Sequence, residues 1–265
     1  MEARRDPRAR YSSRRVRRPR INPLDPLTAA YQAGTGPAVA ATAMLSVIMP
    51  VYNERETIAE ALRRVKAAPG DKEILVVDDA YTDGTRELLA ADPEIRLLCH
   101  AKNQGKGAAI RTALAVVSGD VVIIQDADLE YDPGDYPLLV DPIRRGEARV
   151  VYGSRFLRGR PSMRWTHLLC NRLLALAANL LYGAGITDEA TCYKAFDAAL
   201  LRELPLACRR FEFCPEVTAR VRRRGIPIHE VPIHYTARTF DAGKKIRAWD
   251  AVEAFWTLLR YRFWK

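Results

Sequence analysis

The sequence predicts an α/β fold: a mostly parallel central sheet with helices on both faces, closed by C-terminal amphipathic helices. Three observations carry that expectation. Short β-branched runs (LSVIMPV, EILVV, VVIIQ) alternate with helical segments, and such alternation builds parallel sheets. The runs are apolar throughout, as strands buried on both faces are. Three of them end on polar pairs, Tyr52/Glu54, Asp78/Asp79 and Asp126/Asp128, and in parallel sheets ligands gather beyond the carboxyl ends of the strands.

Taken in order, Leu45–Val51 reads as the first strand and ends in Pro50-Val51-Tyr52-Asn53. A helix should follow, with Asn53 as N-cap and Glu54 and Glu56 in its first turn, where the helix dipole favours acids. Residues 73–77 form a second strand closing on Asp78-Asp79, and Thr82-Asp83-Gly84-Thr85 turns into another helix. Residues 95–99 make the third strand. The segment 104–117 is a helix entered through Gly105-Lys106-Gly107, which lacks the GK[ST] spacing of a phosphate loop and is read as a helix start packed near the ligand. Residues 121–125 and 150–153 are the next strands. Beyond them the character changes. A Leu-rich helix (166–182), a helix near 212–224, a strand (228–235), a Gly/Lys loop and a final helix, Ala248–Phe263, complete the chain.

Charge is unevenly spread. Residues 1–43 hold nine Arg, no Lys and three acids, so most of the formal +10 sits there. With no apolar periodicity this segment reads as a disordered tail, solvated rather than a specific nucleic-acid arm, and Met44 is a candidate natural start. Residues 44–265 make one domain. Its five cysteines form no C-x-x-C pair and are odd in number, which suits free thiols in a reducing compartment. No apolar run reaches the ~18–20 residues of a membrane span. No secretory signal stands behind the N-terminal arginines.

The chemistry concentrates in Gln125-Asp126-Ala127-Asp128-Leu129-Glu130. In an extended chain, residues two apart project to the same side, so Asp126, Asp128 and Glu130 can converge. Clustered carboxylates repel one another unless a cation stands between them, and Mg²⁺ or Mn²⁺ holding a diphosphate fits that place. The bland alternative is an acidic turn after a core strand. Polar sets on three strand ends of one sheet edge weigh against it.

The stretches SVIMPVYNE, EILVVDD with TDGT, NQGKGAAIRTA, IIQDADLEYDP, VVYGSRF, TDEATCYKAF and EVPIHYTARTFDAGKKI span residues 46–246. Together they resemble glycosyltransferase family 2, a single Rossmann-like GT-A domain, in its dolichyl-phosphate mannose and glucose synthase branch. The resemblance implies a nucleotide-sugar-binding half (44–153) and an acceptor-binding half (154–265). It implies that Pro50, Tyr52, Glu54 and Asp79 hold base and ribose, with Asp126, Ala127 and Asp128 completing the donor site. Asp126, Asp128 and Glu130 would position the Mg²⁺ or Mn²⁺, and the two aspartates would be catalytic. Arg155, Arg238 and Lys244 would grip phosphates, a task that suits guanidinium forks and ammonium charges. The implied reaction is metal-dependent, inverting transfer of a hexose from GDP-mannose, UDP-glucose or a similar donor to polyprenyl or dolichyl phosphate.

Two other readings stand beside it. One is transfer to a sugar hydroxyl, which needs a carboxylate base; Glu212 and Glu216, four apart on one helix, are the candidates. The other is a non-catalytic nucleotide- or lipid-binding relative, because Ala80-Tyr81 replaces the family's usual Gly-Ser or Asn-Ser after Asp79. Cys214 stands where close relatives often carry an acid. Pro161 replaces the Gln of the Q-x-x-R-W pattern of polymer-making members, although Arg164-Trp165 is present. The aromatic and basic final helix suits a peripheral contact with a membrane surface, or with a separate membrane partner, on the cytoplasmic face.

Overall fold

The structure, a computed structural model, describes residues 43–238 and 248–264. The Arg-rich segment 1–42 and Lys244 with its Gly/Lys loop lie outside the described residues. Strands and helices alternate as β1 (Leu45–Val51), α1 (Ile58–Ala67), β2 (Lys72–Asp78), α2 (Thr85–Ala90), β3 (Arg96–Cys99), α3 (Lys106–Leu114) and β4 (Val121–Ile124). Then come α4 (Tyr136–Arg144), β5 (Val150–Ser154), α5 (Trp165–Tyr182), β6 (Lys194–Asp197), α6 (Ala198–Glu203), α7 (Phe213–Arg223), β7 (His229–Pro232) and α8 (Ala248–Phe263). They build one seven-stranded sheet in the order β3-β2-β1-β4-β6-β5-β7.

Four of the six strand pairings are parallel, as expected; the exception is β6, antiparallel to both β4 and β5. All of β1 and all of β4 are buried, as runs of Val, Ile and Leu covered on both faces should be. Each such side chain contributes about 1.5–3 kcal/mol by leaving water. Register then aligns the strand ends. Val51 lies opposite Asp78, and Ile48 lies opposite Ile124, so Asp126 stands level with Pro50. The connections leave β1 on one side for β2 and reach β4 on the other, which makes the β1/β4 edge the topological switch point where α/β sheets bind ligands.

Several boundaries differ from the sequence expectation. Asn53 is no N-cap: its backbone is left-handed (φ 50) and α1 starts only at Ile58. Helix α4 has no counterpart in the sequence expectation, and it carries two prolines, Pro137 and Pro142. The first sits in the opening turn, where its fixed φ suits a helix, and the second in the last turn. Strand β6 was hidden because Lys194 and Asp197 flank only two apolar residues, though all four are buried. The expected strand 228–235 shortens to β7. Among the described residues no helix is long and apolar enough to cross a membrane.

Candidate active site

Three loops leave the carboxyl edge of the sheet and are stitched to one another. After β1, Tyr52 is half-exposed and Glu54 buried. The Glu54 carboxylate accepts from Thr57 Oγ1 at 2.8 Å and from Arg238 Nη1 at 2.7 Å. Asn53 accepts from the Thr82 backbone N–H at 3.2 Å, and the Arg55 N–H donates to Asp83 Oδ2 at 3.2 Å, tying the first loop to the second. Its left-handed turn is what aims Asn53 there.

After β2, the two aspartates face different tasks. Asp78, fully buried, accepts from the Tyr81 N–H and from the Arg86 guanidinium. Asp79 accepts from the backbone N–H groups of Gln104 (2.8 Å) and Gly105 (2.7 Å) and from His100 Nδ1 (2.8 Å). A carboxylate only accepts, so Nδ1 carries the proton and Nε2 faces Thr112 Oγ1 at 2.9 Å. Both oxygens of Asp79 are engaged in holding the 100–105 turn at the edge where base and ribose are expected. Between these loops, Ala80 adopts φ 63, a conformation that glycine or asparagine takes more readily. Tyr81 packs its ring against the core, and its buried hydroxyl finds no hydrogen-bond partner among the described residues.

The Gly105-Lys106-Gly107 turn opens α3. A Cβ on Gly105 would lie 2.5 Å from the Arg209 carbonyl, at φ 92, so the turn needs glycine for close approach. The N–H groups of Gly107 and Ala108 donate to the carbonyls of Arg210 (3.0 Å) and Arg209 (2.9 Å). This helix start is thus closed by the chain itself, leaving Lys106 as the group it sends toward the site.

After β4 comes the acidic run. Gln125 is the hidden organiser. Its Oε1 accepts from the hydroxyls of Tyr136 (2.8 Å) and Tyr193 (2.6 Å), while its Nε2 donates to the Asp126 carbonyl (2.8 Å). The Asp126 carboxylate receives Lys106 Nζ at 2.6 Å, and the same ammonium lies 3.0 Å from Cys192 Sγ. Burial opposes the charge on Lys106, but Asp126 and the nearby thiols of Cys192 and Cys214 outweigh it and hold its pKa above the ordinary lysine range. Sequence reasoning missed this lysine's role, because nothing in the local pattern says which acid it meets.

Asp128 Oδ1 accepts from the Glu130 N–H at 3.1 Å across Leu129, which is also left-handed (φ 63). Burial, then the charges of Asp126 and Glu130, push the Asp128 carboxyl up to about 7. A carboxylate so raised is short of positive charge. The pair Asp126/Asp128 thus fits a hard divalent cation, two protein oxygens being what Mg²⁺ commonly takes when phosphates supply the rest. Glu130 does not join them. Its carboxylate accepts from the Tyr235 hydroxyl (3.0 Å) and the Arg238 N–H (2.8 Å), which corrects its expected place as a third ligand. Among the described residues no group of three or more His, Cys, Asp or Glu is arranged to hold a metal ion. Ala127 lies buried between the two aspartates, and Pro50 is buried in β1.

The C-terminal strap 233–238 crosses this edge. His234 bonds to Asp135 through its N–H (2.6 Å) and Nδ1 (2.9 Å), Thr236 N–H donates to the Glu130 carbonyl (2.9 Å), and Arg238 reaches Glu54. Arg238 thus stands beside Glu54 at the carboxyl edge of the sheet. Arg155, expected as a phosphate grip, is buried in a two-pronged ion pair: its Nε and Nη2 each meet an Asp188 oxygen at 2.7 Å, and its guanidinium lies over the Tyr235 ring. The two glutamates proposed for a hydroxyl acceptor are also committed. Glu216 is fully buried and accepts from the N–H groups of Ala207 and Cys208 and from Arg220 Nε. Glu212 accepts from the N–H groups of Arg209 (2.6 Å) and Arg210 (2.9 Å).

Residues 46–204 match the family model described as glycosyl transferase family 2. The chain is 31% identical over 226 residues to polyprenol monophosphomannose synthase of Mycolicibacterium smegmatis, covering 80% of this chain and 85% of that protein. It is 30% identical over 209 residues to undecaprenyl-phosphate mannosyltransferase of Micrococcus luteus, covering 74% and 85%. Against the low-salt glycan biosynthesis hexosyltransferase Agl6 of Haloferax volcanii it is 33% identical over 205 residues, covering 75% of this chain but 49% of the relative, so the chain spans about half of that protein's length. In fold it is similar to glucosyl-3-phosphoglycerate synthase from Mycobacterium tuberculosis in complex with Mn²⁺, UDP and glucosyl-3-phosphoglycerate. The TM-score is 0.66 at 22% identity, covering 90% of this chain and 85% of that one.

Proposed function

Because this chain belongs to glycosyl transferase family 2, and so is a glycosyltransferase of GT-A fold, we propose that it moves a hexose from a nucleotide-sugar to a polyprenyl phosphate. The observation that carries this reading is the Asp126/Asp128 pair at the β1/β4 switch point, with the Asp128 carboxyl raised to about 7 among its acidic neighbours. Those two side chains would hold Mg²⁺ or Mn²⁺ against the donor diphosphate, where the ion would act as a Lewis acid on the departing charge. The M. tuberculosis synthase, crystallised with Mn²⁺ and UDP, supports the choice of ion class.

The remaining residues bind and orient. Pro50, Tyr52 and Glu54 would border the base and ribose, with Asp79 acting at one remove by fixing Gln104 and Gly105. Lys106 and Gln125 hold Asp126 from two sides, the ammonium at its carboxylate and the amide at its carbonyl. Arg238, poised on Glu54, is the described guanidinium best placed to meet a phosphate.

A prenyl phosphate oxygen is already ionised at neutral pH. It would attack the anomeric carbon from the face opposite the diphosphate, and the carbon–oxygen bond to the diphosphate would break with its electron pair. An α-linked donor thus gives a β-linked product. No proton has to be removed, which agrees with the engagement of Glu212 and Glu216 elsewhere. The names of the Micrococcus and Mycolicibacterium relatives point to the same acceptor class. Such an acceptor resides in a bilayer, so the enzyme would work at the cytoplasmic membrane face.

Purified protein supplied with Mn²⁺ or Mg²⁺, polyprenyl phosphate and radiolabelled GDP-mannose, UDP-glucose or UDP-N-acetylglucosamine should carry label into the lipid phase, and chelator should stop it. Label passing only to saccharide hydroxyls would sink the acceptor assignment.

A further inference from the structure

Tryptophan is ordinarily among the well-buried residues of a folded chain. Here all four, Trp165, Trp249, Trp256 and Trp264, are exposed, at 68, 69, 54 and 57%. All four belong to two neighbouring helices or their ends, α5 and α8, which pack side by side and are joined by the Tyr182 hydroxyl donating to the Leu258 carbonyl.

Helix α5 is apolar on both sides. Leu174, Ala175 and Ala178 face the core, while Trp165, Leu169, Leu173, Leu176 and Leu180 form an outward stripe at three- and four-residue spacing. A helix that is apolar all round is normally buried or in contact with lipid. This one lies on the outside. On α8 the stripe is Trp249, Val252, Trp256, Leu259 and Phe263, again at helical spacing. Two such rows on helices that pack against each other expose more large apolar side chains than solitary soluble proteins usually show.

The charges say what covers these rows. Helix α5 contains no acid; of the two acids of α8, Asp250 is buried, and Glu253 is half-buried beside Arg210, Glu212 and Asp250. Among the described residues, the exposed charges flanking these helices include Arg158, Arg160 and Arg164 leading into α5, Arg172 on it, and Arg260 and Arg262 at the end of α8. A second copy of the chain would bring arginine against arginine. Anionic headgroups complement the same rim, and tryptophan's amphipathic ring favours the level of those headgroups.

The face also begins at the working edge of the sheet. Helix α5 follows β5, whose carboxyl end lies on that edge, and α8 starts ten residues after Arg238. We propose that the joint outer face of α5 and α8 docks the enzyme on an anionic bilayer, with its tryptophans seated at headgroup depth and the cleft opening toward the lipid. The proposal rests on the prenyl-phosphate reading for why the cleft should face a membrane; the surface itself stands on the two helices.

The full chain should co-sediment with phosphatidylcholine vesicles containing phosphatidylglycerol and less with phosphatidylcholine alone, and brominated lipids should quench its tryptophan emission. The double variant Leu180→Gln/Trp256→Gln should bind these vesicles at least about tenfold more weakly, the equivalent of one lost apolar side chain or more. It should keep the wild-type thermal midpoint and wild-type transfer to a short-chain, water-soluble prenyl phosphate. Absence of vesicle binding by the wild type would overturn the proposal, as would unquenched emission on vesicles. Sedimentation-velocity evidence that the face instead makes a dimer, lost in the double variant, would overturn it as well. Vesicle binding without transfer to the short-chain acceptor would support the surface and refute the acceptor reading.

Discussion

At Asp128 a single carboxyl carries both a cost and a use. Its burial beside Asp126 and Glu130 disfavours ionisation, and that disfavour disappears once a cation arrives. Asp128→Asn should therefore cut transfer by about two orders of magnitude or more, since a lost charge-stabilising contact commonly weighs that much. The same variant should leave the thermal midpoint unchanged or slightly higher, because a repulsion is removed; a drop in midpoint with retained turnover would contradict the assignment. Two positions away from Asp78, Ala80 holds a left-handed backbone. L-residues give up about 1–2 kcal/mol there, part of which glycine returns to the unfolded chain as entropy. Ala80→Gly should raise the urea midpoint modestly, and the departure from the family's Gly or Asn at this place is then a matter of strain rather than lost chemistry. The residue types of the candidate site were legible in the sequence, because polar sets close three strands whose ends share one sheet edge. Their partners were not. Arg155 looked like a phosphate grip, and only the fold brings Asp188, 33 residues on, against it.

At the level of elements, Glu216 shows how a helix can serve a loop. From α7 its carboxylate collects the N–H groups of Ala207 and Cys208, next to the Arg209 and Arg210 carbonyls that close α3. Burial pushes this carboxyl up, but the backbone donors and the Arg220 guanidinium outweigh it, so the folded-state pKa lies below the usual value. A lowered carboxylate pKa contributes stability above the unfolded value, about 4.3, that is lost as pH falls through the folded one. Glu216→Gln should cost about 2 kcal/mol at pH 7 by denaturant titration, the scale of a buried donor left without its charged acceptor, and the gap to wild type should narrow on acidification below pH 4. An equal gap at both pH values would refute this. The parallel strands were legible from their unbroken apolar runs. Strand β6 and helix α4 were not, since a four-residue buried strand with charged ends and a helix bearing two prolines each mimic loops. What rescues both is tertiary: β6 is held by two neighbours, and α4 packs on β4, β5 and β6.

For the molecule as a whole, a cation held by only the two carboxylates proposed for it, Asp126 and Asp128, should bind together with the nucleotide. Mn²⁺ alone should shift the thermal midpoint little. Mn²⁺ with UDP or GDP, each near 100 times its dissociation constant, should add about 2.7 kcal/mol and raise it by several degrees, a synergy absent in Asp128→Asn. Equal shifts with ion alone would mean further protein ligands. The expected division into a donor half and an acceptor half also takes on a physical meaning. Phe196, from the later half, sits in β6 opposite Val122 on one side and Val150 on the other, both from the earlier half. The domain has no seam. A hybrid enzyme made by joining one relative's first 153 residues to another's remainder would drive a foreign wedge between two native strands, so exchanging acceptor preference by splicing should succeed only when the wedge and its two flanks travel as a set.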